Sequence, residues 1–143
     1  MKNVLIPVNG SPCSLSGVNL VISKRARYAK PEELEIHLVN VQHPFSHDVG
    51  RFVDHDQMLA FHREEGEKCM RPACELLDAA GAKYTCHYMV GNVAEAVTQL
   101  ANELSCDQIV MGTHGHSAIG ELLTGSNTLK IVQLSKIPVT LVK

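Results

Sequence analysis

The stretch NVLIPVNGSP, Asn3 to Pro12, sets the reading of the whole chain. Asn3 to Asn9 is apolar enough for a strand buried on both faces, as parallel sheets require. Ser11 then suits a helix N-cap, and Pro12 the first helical position, where the missing N–H costs nothing. A buried strand feeding straight into a capped helix is the first half of a βαβ unit.

The same alternation continues outward. Leu15, Val18, Ile22, Ala26 and Ala29 recur at helical spacing until Pro31. Glu35 to Val41 reads as a second strand, followed by a polar loop from Gln42 to about Asp54. A long helical pattern runs from Asp56 to Ala80, with the stripe Met58, Phe61, Cys69, Ala73, Leu76 and Ala80. Pro72 lies inside it, which predicts a kink or break near 68–72. Lys83 to Val90 is a third strand. Asn92 and Glu95 have capping-box spacing before a helix faced by Val93, Val97, Leu100, Ala101 and Leu104. Asp107 to Met111 is a fourth strand, Ser126 to Ser135 a helix, and Ile137 to Val142 a fifth strand whose Pro138 suits a sheet edge. The predicted fold class is α/β: one domain over 1–143, a parallel sheet with helices on both faces.

Composition narrows the function. The chain has 143 residues, 45% of them apolar, and a net charge of −2 without a basic stripe, which argues against nucleic acid and anionic membranes as partners. No apolar run approaches a membrane span, and Pro7 interrupts the short opening run, so neither an anchor nor a secretion signal is expected. The reading is cytoplasmic. Five cysteines at unpaired spacing are then expected as small apolar side chains. His43, His47 and His55 lie close in sequence, but their spacing does not favour a metal site.

The residues between the fourth strand and the last helix carry the chemistry. GTHGHSAIGELLTGSNT, Gly112 to Thr128, holds four of the ten glycines. In open α/β sheets, ligands bind beyond the carboxyl ends of the strands at the switch in strand order. If strands one and four are neighbours, this loop and Asn9-Gly10-Ser11 line one crevice. Gly112 and Gly115 free backbone amides to face a ligand, and Gly125 leads into a helix N-terminus with its partial positive charge. Thr113, Ser117, Thr124, Ser126 and Thr128 add hydroxyls. Amides and hydroxyls together suit phosphate oxygens. A flexible connection is the bland alternative for the loop, a turn former for Asn9, an N-cap for Ser126, and a solvated loop role for His114 and His116.

The Walker A pattern fails, because Glu121 and Leu122 stand where Lys and Ser/Thr belong. G-x-G-x-x-G and G-x-S-x-G are absent. The spacing that fits is G-x2-G-x9-G-S, from Gly112, Gly115, Gly125 and Ser126. With VLIPVNGS, VGN at 90–92, DQIVMGTHG at 107–115 and IPVTLV, the whole chain resembles the ATP-binding branch of the universal stress protein family. That resemblance implies strand order 3-2-1-4-5 and an adenine nucleotide (ATP, ADP or AMP, with or without magnesium) at the switch point. It also implies a homodimer through Ile137 to Val142. Carried over by position, Pro7, Val8, Asn9, Val41 and Met111 border the nucleoside. Gly112, Thr113, His114, Gly115, His116, Ser117 and Ala118 hold ribose and phosphates, and Gly125, Ser126, Asn127 and Thr128 close on the phosphates. Two positions depart from the family: Asn9 replaces Asp, and His116 replaces Lys or Arg. The loop's one acid, Glu121, suits helix surface, so binding is expected rather than rapid catalysis. A nucleotide-free interaction module and a slow ATPase or autophosphorylating protein are the alternatives.

Overall fold

The computed structural model describes residues 1–113 and 126–143; for Val49, Gly50 and Ser126 only the backbone is described. Five strands, β1 (Asn3–Pro7), β2 (Glu35–Gln42), β3 (Thr85–Val90), β4 (Gln108–Gly112) and β5 (Val139–Val142), form one sheet. All pairs are parallel and the order is β3-β2-β1-β4-β5. The expected topology is therefore present. The helices are α1 (Pro12–Arg25), a four-residue α2 (His47–Gly50), α3 (His55–Ala79), α4 (Val93–Glu103) and α5 (Ser126–Leu134).

Side-chain alternation along the strands builds two cores. Val4 and Ile6 of β1 and Val8 just beyond it, with Ile36 and Leu38 of β2, face α1 and α3, where Val18, Val21, Met70 and Leu77 meet them. Leu5, Val39, Ile109 and Met111 face the other way, onto Val97 and Ala101 of α4 and Ile131 of α5. Burying one such aliphatic side chain contributes roughly 1.5–3 kcal/mol. Asp107 pins β1 beside β4: its carboxylate accepts from the backbone N–H of Asn3 at 2.8 Å and of Lys2 at 2.6 Å.

Local signals act as read. Ser11 is the N-cap of α1, its Oγ accepting from Ser14 N–H at 3.3 Å, with Pro12 in the first turn. Asn92 caps α4 by accepting from Glu95 N–H at 3.1 Å, which is half of the expected box. The reciprocal box is found instead on α3, between Asp54 and Gln57.

Three expectations are corrected. α3 is a continuous 25-residue helix straight through Pro72, with no break at 68–72. Residues packed on both sides of the proline, Gly66 and Met70 before it and Ala73 and Leu77 after it, hold the helix to the sheet despite the lost N–H bond. Those four are also its buried stripe, so of the residues expected on that stripe only Ala73 is fully buried, while Phe61 is 47% exposed. Third, α1 stops at Arg25, leaving Ala26 and Ala29 exposed beyond its end.

Helix α1 lies unusually close to β4. A Cβ on Gly17 would sit 3.2 Å from the carbonyl oxygen of Val110, and one on Gly112 only 1.7 Å from that of Cys13. Gly112→Ala must therefore push α1 off the sheet. It is expected to cost more than about 3 kcal/mol in urea unfolding, beyond ordinary overpacking. Gly81→Ala, at φ +66° with nothing within 4 Å, is expected to cost about 1 kcal/mol through backbone strain alone.

Candidate functional site

A cavity of about 440 Å³ opens at the carboxyl ends of β1, β2 and β4, where the strand order reverses. That is a volume typical of small-molecule sites. Pro7, Val8 and Asn9 reach it from β1, Val41 from β2, Met111 and Gly112 from β4, and Asn127 and Thr128 from α5. All eight were named from the sequence. Thr113 is described but does not line the cavity; its N–H donates to the carbonyl of Val142 at 2.8 Å. His114, Gly115, His116, Ser117, Ala118 and Gly125 lie outside the described residues, as does the side chain of Ser126.

Ser11, expected on the crevice with Asn9 and Gly10, also lines the cavity; the residues missed were Cys13 and Ser14 at the start of α1, Asn40, Gln42 and His43 on and after β2, and Val39, Val93, Val97 and Ile131 beneath. A signal for two of them existed. Asn40 and Gln42 are polar residues at alternate positions in the second half of β2, and they point the same way. Asn40 is buried, donating from Nδ2 to the carbonyl of Val8 at 2.8 Å and accepting from Gln42 Nε2 at 2.9 Å. This bridge ties the ends of β1 and β2 together under the cavity.

The first turns of three helices reach the cavity: Cys13 and Ser14 of α1, Val93 of α4, and Asn127 and Thr128 of α5. Each helix N-terminus carries about half a positive charge. Among the described residues, no Asp, Glu, Lys or Arg lines the cavity. Its field therefore comes from backbone dipoles, and it favours an anion.

The rim around Asn9 is built by its side chain. Oδ1 accepts from the Ser11 N–H at 3.0 Å and from the Ser11 hydroxyl at 2.6 Å, closing an Asx turn in which Gly10 takes φ +84°. The turn-forming role considered for Asn9 is thus present. Its Nδ2 donates no bond among the described residues.

The three histidines near the second crossover separate. His43 stands at this cavity, whereas His47 and His55 line a second, shallower one with His62 and Phe45.

Sequence comparison decides the family. The universal stress protein family profile matches residues 1–143, the whole chain. The chain belongs to the universal stress protein family. Universal stress protein G of Escherichia coli O157:H7 is 27% identical, over 99% of both chains. Among solved structures, the Methanocaldococcus jannaschii universal stress protein MJ0577 superposes with TM-score 0.79 at 26% identity, over 99% of this chain and 95% of that one. A universal stress protein in complex with cAMP superposes with TM-score 0.70 at 25% identity, over 99% and 97%. No helix among the described residues is long and apolar enough to cross a membrane.

The Asn40 bridge can be tested without a ligand. Asn40→Ala strands the buried Val8 carbonyl and is expected to cost about 1–3 kcal/mol in urea unfolding. Gln42→Ala, which removes one bond at a half-buried position, is expected to cost less than about 1 kcal/mol.

Proposed function

We infer that this universal stress protein binds an adenine nucleotide, ATP, ADP or AMP, in the cavity at the ends of β1, β2 and β4. One observation carries the reading: three helix N-termini converge on a cavity free of charged side chains among the described residues. Apolar Pro7, Val41, Met111 and Val97 suit a base, and the first-turn amide and hydroxyl at Thr128 suit phosphate. The cAMP complex of a relative with the same fold supports the nucleotide class. Gly112 to Ala118 and Gly125 to Thr128 are assigned to ribose and phosphates by their sequence match. No carboxylate lines the cavity among the described residues, so bound magnesium would depend on phosphate oxygens and water.

Binding rather than turnover follows from the same inventory. The cavity presents donors that hold phosphate, and among the described residues no carboxylate lines it, with His43 the one imidazole at its edge. The protein acts in stress response through nucleotide-dependent interaction in the cytoplasm, as one domain. Replacing Asp by Asn at position 9 exchanges a charge-assisted hydrogen bond for a neutral one. That loss is about 1 kcal/mol, or roughly fivefold in affinity.

Calorimetric titration with ATP and AMP, each with and without magnesium, tests this. A dissociation constant below about 1 mM is expected, with Asn9→Asp about fivefold tighter. No heat and no competition at that concentration would remove the assignment.

The protein also forms a homodimer through β5. This strand is a sheet edge with Leu141 46% exposed, and α5, which leads into it, exposes Leu129, Val132 and Leu134. Exposed apolar groups on an open edge suit pairing with a second copy. Sedimentation velocity at micromolar concentration should give twice the 15.6 kDa chain mass, and Leu141→Lys should give monomer. Monomer for both proteins would contradict the pairing.

A further inference from the structure

Cys74 on α3 and Cys86 on β3 bring their sulfur atoms to 3.6 Å, in contact but unbonded. The chain between them makes a clip. α3 ends at Ala79, Gly81 reverses the direction at φ +66°, and Ala82 N–H bonds back to the carbonyl of Leu77 at 3.0 Å. A second tie closes the same clip, from the Tyr84 hydroxyl to Asp78 Oδ1 at 2.9 Å. The two thiols are therefore held together by the fold and need about 1.5 Å of approach to reach a bonded S–S distance. Both are half-buried beside an edge strand, within reach of a small oxidant.

The other three cysteines have different settings. Cys106 is buried and donates to Asn3 Oδ1 at 3.4 Å, Cys13 lines the main cavity, and Cys69 backs Gly10.

We propose that Cys74 and Cys86 are a redox modification site, closed to an intramolecular disulfide by a small hydroperoxide. One thiol takes an oxygen atom from the hydroperoxide, giving a sulfenic acid and releasing an alcohol, or water if the oxidant is hydrogen peroxide. The second thiol attacks that sulfur, the S–S bond forms, and the hydroxyl leaves as water with the second thiol's proton. Two thiols are oxidised by two electrons and one hydroperoxide is reduced. Burial, with the hydrogen bond to Cys74, pushes the Cys86 thiol up to about 12. Cys86 therefore stays protonated at neutral pH and is slow to react, which keeps the clip open until oxidant accumulates. The disulfide then fastens the end of α3 to the sheet edge.

The test uses the reduced full-length protein and hydrogen peroxide in modest excess, followed by alkylation in denaturant and peptide mapping. Two of the five thiols should be lost, the peptides carrying Cys74 and Cys86 should be joined within one chain, and dithiothreitol should restore both. Thermal unfolding of the oxidised protein should shift upward. In Cys86→Ser, Cys74 should accumulate as a dimedone-reactive sulfenic acid that the wild-type protein does not retain. Five alkylatable thiols after treatment, oxidation to sulfinic acid without a link, or a link between two chains would each overturn the proposal.

Discussion

The close approach of α1 to β4 is the constraint on which the rest of the molecule depends. Two missing side chains permit it: Gly17 faces Val110, and Gly112 faces the carbonyl of Cys13. A helix normally stands off a sheet by the length of its side chains. Here its first turn settles directly over the end of β4, while Ser11 and the Asn9 turn tie the same helix to β1. The position of α1 therefore fixes one wall of the cavity, and Asn40 fixes the floor by joining β1 to β2. The site is a consequence of how the sheet and its first helix are assembled.

That assembly produces an electrostatic environment without charged side chains among the described lining residues. Backbone dipoles from α1, α4 and α5 converge where β1 and β4 part. Such a field is already oriented before a ligand arrives, so binding needs little reorganisation. A field of this kind favours anions in general, which leaves discrimination among them to the walls: Pro7, Val41, Met111 and the Asn9 rim.

Much of this was legible in the residues. Strands buried on two faces alternating with capped helices define a parallel α/β sheet, and eight of the residues named for the site line the observed cavity. What escaped did so for physical reasons. Periodicity placed the long α3 but not its rotation: Phe61 stays 47% exposed, while Gly66, a residue with no hydropathy signal, is buried where an added Cβ would meet the Tyr88 ring at 2.7 Å. A proline rule calibrated on isolated helices was overruled by packing on either side of Pro72. The partner of Asn40, the Val8 carbonyl, lies 32 residues away beyond the end of β1, so the bridge was not legible from β2 alone. The contact between Cys74 and Cys86 depends on the return of β3 alongside α3, which no spacing rule encodes.

The central claim is that nucleotide occupies the crevice between β1 and β4. Amide chemical-shift mapping during addition of AMP and of ATP tests it most directly. The account predicts the largest displacements at Val8, Asn9, Val41, Met111 and Asn127, with the α3–β3 clip near Cys74 and Cys86 unmoved. Displacements centred instead on the second cavity around His47, His55 and His62, with Val8 and Met111 unchanged, would contradict it.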